Sequence, residues 1–356
     1  MIKILPKLES KIQLYVANLC MRKDVSGEAM DPKISICIPV FNVGFCLASC
    51  LESVINQTMK DIEIVCVEDC SSDNCFEILK MYAAIDPRII IIRHDKNLGT
   101  MVSRKDGAMA AQGKYIMYVD GDDELFSNAC DIAFNLIEKN HTDVAEFGAQ
   151  AIDSSGKVMK SNNFIIHNID RMEDINLLHL KMKGQLKNWQ VWNKIYRSSL
   201  LKKAFCEIEN EYSVLANDFR IFCVFGYYAQ SISITQENLY KWRQGHGIYS
   251  GVQPVIDLNR YKRMLTEKDD LDAVVRFLES KPDKEAYQLF LKNIRKLFLR
   301  QTFSWWNNNL EEKEEGLRLF IEKWGTGDAR VALIIGWMKV KLFWLQLKRR
   351  MLLNFK

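Results

Sequence analysis

The stretch Tyr115-Ile-Met-Tyr-Val-Asp-Gly-Asp-Asp-Glu-Leu125 constrains this chain most, because an apolar run leads without a break into four carboxylates. A run of mostly apolar residues reads as a strand buried on both faces of a sheet, and Gly121 permits a sharp turn where Asp120, Asp122, Asp123 and Glu124 begin. Charge is thus concentrated at the C-terminal end of a strand, which in open α/β sheets is where ligands bind. Two unit charges about 4 Å apart repel by roughly 4 kcal/mol at an effective dielectric near 20, so such a cluster facing an anionic ligand calls for a cation. A hard divalent ion with oxygen ligands, Mg²⁺ or Mn²⁺, meets that need. The bland reading of the same acids is a solvated turn, or caps for the helix that starts near Ser127.

The sequence on either side repeats one pattern. Ile34–Val40, Ile62–Val67 and Ile89–Ile92 are near-continuous apolar runs. Between them lie segments with helical spacing: Leu47, Leu51, Val54 and Ile55, then Phe76–Ala84, then Met101–Ala111. Strand and helix in alternation predict an α/β fold, a mainly parallel sheet flanked by helices, with Asn42, Asp69, Asp73 and the acidic turn gathered on one edge. Asp73 reads best as a cap for the helix near Phe76. The first turn lacks the Gly-x-Gly-x-x-Gly spacing that seats a dinucleotide pyrophosphate, which disfavours an ordinary NAD-binding fold.

At 356 residues and 48% hydrophobic, the chain can bury a large core and is not a disordered protein. A net charge of +4 is too small to imply nucleic-acid binding. The ten cysteines form no Cys-x-x-Cys pair and read as small buried hydrophobes of a reducing compartment. Neither a cleavable apolar leader nor an uncharged 18-residue span is present, which places the protein in the cytoplasm. Three regions are expected. Residues 1–30 form a helical leader, from Leu8, Ile12, Tyr15, Val16 and Leu19; residues 32–250 form the α/β domain; residues 255–356 form a helical appendage.

Five motifs in one order carry a resemblance: Ile34-Ser-Ile-Cys-Ile-Pro-Val-Phe-Asn42; Ser53-Val-Ile-Asn-Gln-Thr58; Ile64-Val-Cys-Val-Glu-Asp69 with Ser71, Ser72 and Asp73; Asn97-Leu-Gly99 with Arg104 and Gly107; and Gly113-Lys-Tyr-Ile116 with Asp120-Gly-Asp-Asp123. Together they resemble the nucleotide-sugar half of the family 2 glycosyltransferases, strongly over residues 32–125 and more weakly over 126–245. The resemblance implies the GT-A fold and inverting transfer from a nucleotide diphosphate donor, with a UDP-sugar favoured. It implies that Pro39, Val40 and Phe41 line the nucleoside pocket and that Asp69 bonds the base; its neighbour is Glu68 where the family usually has a second Asp. Arg104 matches the basic residue near the donor, a role suited to a guanidinium's bidentate grip on phosphate. Asp120 would approach the ribose or the metal, and Asp122 would ligate Mn²⁺ or Mg²⁺ directly.

Beyond residue 125 the pattern is looser. Asp131–Glu138 reads as a helix, Asp143–Gly148 as a strand, and residues 153–188 as a polar, irregular insert of the kind that carries acceptor specificity. Trp192-Asn-Lys-Ile-Tyr-Arg197 again resembles the family; Trp189 and Trp192 are read as core anchors or as stacking surfaces for a sugar. Asn217-Asp218 stands where the family has Glu-Asp, which makes Asp218 the general base on the acceptor hydroxyl by resemblance, or a helix cap. Ile232–Ile234 and Leu239–Arg243 read as strands, and His246, between glycines, would complete the metal's ligand set.

The tail Arg330–Lys356 has seven basic residues and no acids, with Trp337, Trp344 and many leucines between them. It fits a helix lying in a membrane interface, or one packed on protein. The expected activity is metal-dependent sugar transfer to a hydroxyl of a saccharide or glycolipid acceptor in bacterial surface polysaccharide synthesis. The alternatives are a metal-dependent nucleotidyltransferase and a non-catalytic saccharide-binding protein on the same fold.

Overall fold

The computed structural model describes residues 12–15, 31–163, 171–173, 176–186, 188–213, 216–244, 257–308 and 312–353. The chain divides into two compact units, Met1–Tyr212 with Asp218–Gly251, and Ser213–Asn217 with Val252–Lys356. The first contains β1 (Ile12–Tyr15), β2 (Ile34–Val40), α1 (Leu47–Ile55), β3 (Ile62–Glu68), α2 (Cys75–Ile85), β4 (Ile89–His94), α3 (Thr100–Ala110), β5 (Tyr115–Tyr118) and β6 (Glu124–Leu125). It continues through α4 (Ala129–Asn140), β7 (Val144–Ile152), β8 (Val158–Asn163), β9 (Arg171–Met172), α5 (Leu177–Met182), β10 (Lys194–Arg197), α6 (Ser198–Cys206), α7 (Asn217–Tyr228) and β11 (Ile232–Arg243).

One sheet runs through this unit in the order β1-β4-β3-β2-β5-β10-β7-β11-β6, with β8 paired to β7 and β9 to β11. Its core is parallel: Ile34 lies opposite Ile62 on one side and Tyr115 on the other, and Ile64 opposite Ile89. The Ile- and Val-rich runs of β2 and β3 are buried almost throughout, as expected of strands covered by helices on both faces. Because β2, β3 and β5 are parallel, their C-terminal ends bring Val40, Glu68 and the turn after Tyr118 to the same edge.

Three expectations change. The described part of the leader is a strand, β1, paired antiparallel to β4 with Ile12 opposite His94. A short Ile-Gln-Leu-Tyr segment that covers the open edge of an apolar strand gains a ladder of hydrogen bonds that an isolated helix of that length cannot match. The two strands expected near residues 232 and 239 are one twelve-residue strand, β11, whose register against β7 shifts between Ile234 and Asn238 and again before Tyr240. The insert after residue 153 contributes β8, β9 and α5.

The second unit is helical: α8 (Leu258–Met264), α9 (Glu267–Glu279), a 3₁₀ turn at Lys284–Tyr287, α10 (Gln288–Asn308), α11 (Lys313–Trp324) and α12 (Ala329–Leu353). Leu271, Val274 and Leu278 of α9 and Leu317, Phe320 and Trp324 of α11 are buried at helical spacing. Two acids are buried with them. Thr302 donates to Glu267 at 2.7 Å, and Ser213 donates to Asp270.

Candidate active site

The acidic turn sits at the edge the parallel strands define, and its shape is fixed from below and from the side. Asp123 N–H donates to Asp120 C=O at 2.9 Å, closing the turn over Gly121. A Cβ on Gly121 would come within 3.0 Å of Val43 and 3.2 Å of the Pro39 carbonyl. Glycine relieves crowding here rather than serving an unusual φ. From the side, the Tyr240 hydroxyl accepts from Asp120 N–H at 3.1 Å and donates to Asp123 at 2.7 Å. Arg243 N–H donates to Asp123 at 2.7 Å, while the Arg243 guanidinium binds the Asp122 carbonyl and the Glu124 carboxylate.

These bonds sort the four acids. Asp123 is buried and committed to β11, and Glu124 is paired with Arg243 and Lys241. Asp120 and Asp122 stay part-exposed. Burial, followed by the charge of Asp120, pushes the Asp122 carboxyl up to about 6. A cation beside it would restore its ionised form. Among the described residues no three His, Cys, Asp or Glu side chains converge as a metal cage. One or two carboxylates nevertheless suit Mg²⁺, which keeps most of its ligands as water and substrate phosphate, so Asp122 and Asp120 fit such an ion. His246 lies outside the described residues.

Arg104, on α3, is the centre of the site. Its guanidinium is buried and donates to Asp120 at 2.7 Å and to Asp218 at the start of α7. Tyr118 fixes the same helix by donating to the Arg104 carbonyl at 3.0 Å. Asp120 and Asp218 are each about a quarter exposed, so both keep an accessible face. Burial pushes the Asp218 carboxyl above its ordinary value, and Arg104 opposes that rise. Beneath Asp218 lies another buried pair, Lys194 of β10 with Glu146 of β7 at 3.2 Å. Trp189 packs edge-on against Phe219 and Phe222 of α7, with Lys181 over its ring; Trp192 is buried against Tyr240.

The expected nucleoside side is arranged differently from the resemblance. Val40 is buried and faces the core, so of the three residues only Pro39 and Phe41 have accessible side chains. Asp69 is 2% exposed, and its carboxylate already accepts from Leu98 N–H and Gly99 N–H, each at 2.8 Å, and meets His94 Nδ1 at 2.6 Å. These bonds brace the Asn97-Leu-Gly99 turn. His94 Nε2 meets Asp106 of α3 at 3.1 Å. Burial works against charge on this imidazole, but the two carboxylates prevail and raise it to about 9. Asp73 caps α2 through Cys75 N–H and also binds Gly44 N–H.

The sequence reading missed the Asp69–His94–Asp106 bridge and the grip of Tyr240 and Arg243 on the turn. The second had a signal: an arginine closing a strand with the apolar run Leu239-Tyr240 calls for an acidic partner, and the acidic turn supplies one.

A buried guanidinium joining two acids, beside an acidic turn at the C-terminal edge of a parallel sheet, defines a GT-A type domain. Residues 35–207 match the family model described as Glycosyl transferase family 2. An Escherichia coli K12 protein described as the uncharacterized glycosyltransferase YibD is 32% identical over 48% of this chain and 50% of its own length. The poly(ribitol-phosphate) beta-glucosyltransferase of Bacillus spizizenii is 32% identical over 48% of this chain and 26% of its own. The chain spans about half the length or less of these curated relatives. Among solved structures, S. aureus TarS 1-349 in complex with UDP-GlcNAc shares the fold, with a TM-score of 0.61 at 18% identity, over 87% of this chain and 88% of that one.

Proposed function

We propose that this chain is an inverting glycosyltransferase that moves a sugar from a nucleotide diphosphate donor, a UDP-sugar in the first instance, to a hydroxyl of a saccharide or glycolipid acceptor. The observation that carries the reading is the contact of Asp120 and Asp218 with one guanidinium although Arg104 and Asp218 are 114 residues apart in sequence. The acids we assign to the donor and to the acceptor are thereby joined through one side chain. Asp218 takes the proton of the acceptor hydroxyl as its oxygen attacks the anomeric carbon from the side opposite the diphosphate; one displacement of this kind inverts the centre. Its raised proton affinity suits that role, and Arg104 keeps it ionised until the proton arrives. Asp122 and Asp120 would hold Mg²⁺ or Mn²⁺, which when bound supplies charge neutralisation at the departing diphosphate.

The UDP-GlcNAc in the TarS structure and the polymer named in the Bacillus spizizenii relative support a UDP-sugar and a bacterial surface polymer. We place the work in the cytoplasm, with peripheral contact at the inner face of the membrane. No described helix is long and apolar enough to cross a membrane. The test is turnover of a UDP-sugar panel, with and without Mn²⁺, by the full chain and by Asp122→Ala. Release of UDP that needs the metal and falls at least about a hundredfold in the variant supports the reading. Sugar nucleotides left intact under every condition, or transfer of the nucleotidyl group itself, would overturn it.

A further inference from the structure

Helix α12 carries two apolar faces, and the helical unit uses one of them. Val331, Ile335 and Met338 are buried within the unit. On the other side Leu333, Trp337, Val340 and Trp344 follow one another at steps of four, three and four residues, and so form a single stripe along the helix. They are 75%, 49%, 56% and 61% exposed. Phe343, beside the stripe, is 60% exposed. A row of large apolar side chains held in water is unfavourable unless something covers it.

Charge decides what covers it. Helix α12 contains no Asp or Glu from Ala329 to Leu353. Helical geometry sets Arg330 and Lys341 along one border of the stripe, with exposed Lys339 farther round the helix beyond Phe343 and Lys348, Arg349 and Arg350 following in sequence. A second copy docked through this face would bring cations against cations with no acid on the helix to pair them. An anionic lipid surface meets both demands: its acyl boundary takes the tryptophans and Val340, and its headgroups take the lysines and arginines. Tryptophan is also the side chain that settles at such an interface, with an apolar body and a polar N–H.

We propose that the Leu333-Trp337-Val340-Trp344 stripe is an in-plane docking surface for anionic phospholipid. This deepens the peripheral-membrane part of the function proposed above and is independent of the transfer chemistry. The experiment is co-sedimentation of the full chain with phosphatidylcholine vesicles, plain or containing phosphatidylglycerol, for the unmodified protein, Val340→Glu with Trp344→Glu, and Lys339→Glu. All three substituted positions are exposed, and circular dichroism checks that each variant is folded. The unmodified chain is expected to bind the anionic vesicles at least about tenfold more tightly than the neutral ones. The double variant should lose that binding, and Lys339→Glu should weaken it several-fold and make what remains less dependent on salt. Donor turnover in solution should be unchanged in both variants. Equal or absent binding to the two vesicle types overturns the proposal. So does a concentration-dependent dimer that the double variant abolishes, which would assign the stripe to a second copy of the chain.

Discussion

The cations buried at the candidate site and the acids buried in the helical unit are given different kinds of partner. At the candidate site, buried cations are set against acids: Arg104 with Asp120 and Asp218, His94 with Asp69 and Asp106, Lys194 with Glu146. In the helical unit Thr302 donates to Glu267, and Ser213 donates to the neighbouring Asp270. A carboxylate against a guanidinium stays charged when buried, whereas the Thr302 hydroxyl only partly offsets the burial of Glu267, which with the nearby Asp270 charge leaves that acid favouring its proton. The first arrangement keeps charge ready for a charged ligand. The second closes a core. The contrast can be tested from either side.

The largest effect should come from Asp218→Asn, which keeps the size of the side chain and removes its capacity to take a proton. A fall in kcat of about 10³ is expected, with donor affinity little changed. A comparable loss of donor binding would show that Asp218 serves the donor instead. Next is Arg104→Met, which leaves two acids facing each other and should lower kcat/KM about a hundredfold, or ~2.7 kcal/mol. Arg104→Lys should recover little, because one ammonium cannot bridge two carboxylates with a planar fork.

Smaller effects appear in stability, and their pH dependence separates the units. His94 is raised from 6.5 to about 9 in the folded protein, so its contribution is full below pH 6.5 and is lost as pH rises through 9. His94→Gln should therefore cost roughly 2 kcal/mol near pH 6 and progressively less towards pH 9, as read by urea unfolding. Burial raises Glu267 from 4.5 to about 8, so the folded form favours its proton and stability declines as pH climbs between those values. Glu267→Gln should remove that decline and stabilise the protein by about 1 kcal/mol at pH 8. If both variants destabilise alike at pH 8, the distinction between charge-paired and hydroxyl-met acids fails.

Much of the parallel core was legible because Ile- and Val-rich runs such as Ile34–Val40 have only one comfortable environment, and because Asp120-Gly-Asp-Asp123 interrupts one of them abruptly. Arg104 and Asp218 could be named by resemblance, but no spacing in the chain says that one touches the other. Three other features were hidden for different reasons. Asp69 was named by resemblance as a base-binding acid, and only the fold shows that two backbone amides and His94 also bond it. The leader's Ile12 and Tyr15 fit a helical period and also a strand, and the exposed edge of β4 decides between them. The second apolar face of α12 was diluted in the sequence, since apolar residues on both sides of a helix leave no single stripe to notice.

Strand β10 carries a consequence for how such proteins can diverge. It comes late in the chain yet lies between β5 and β7, antiparallel to both. A fragment ending after the acidic turn would leave the apolar rim of β5 bare, and a transplanted C-terminal portion would have to supply a strand in register with Ile116 and Met117 of its new host. Recombination at the midpoint would thus break the structure. Variation is more readily accommodated in the segments outside the sheet, one loop at a time.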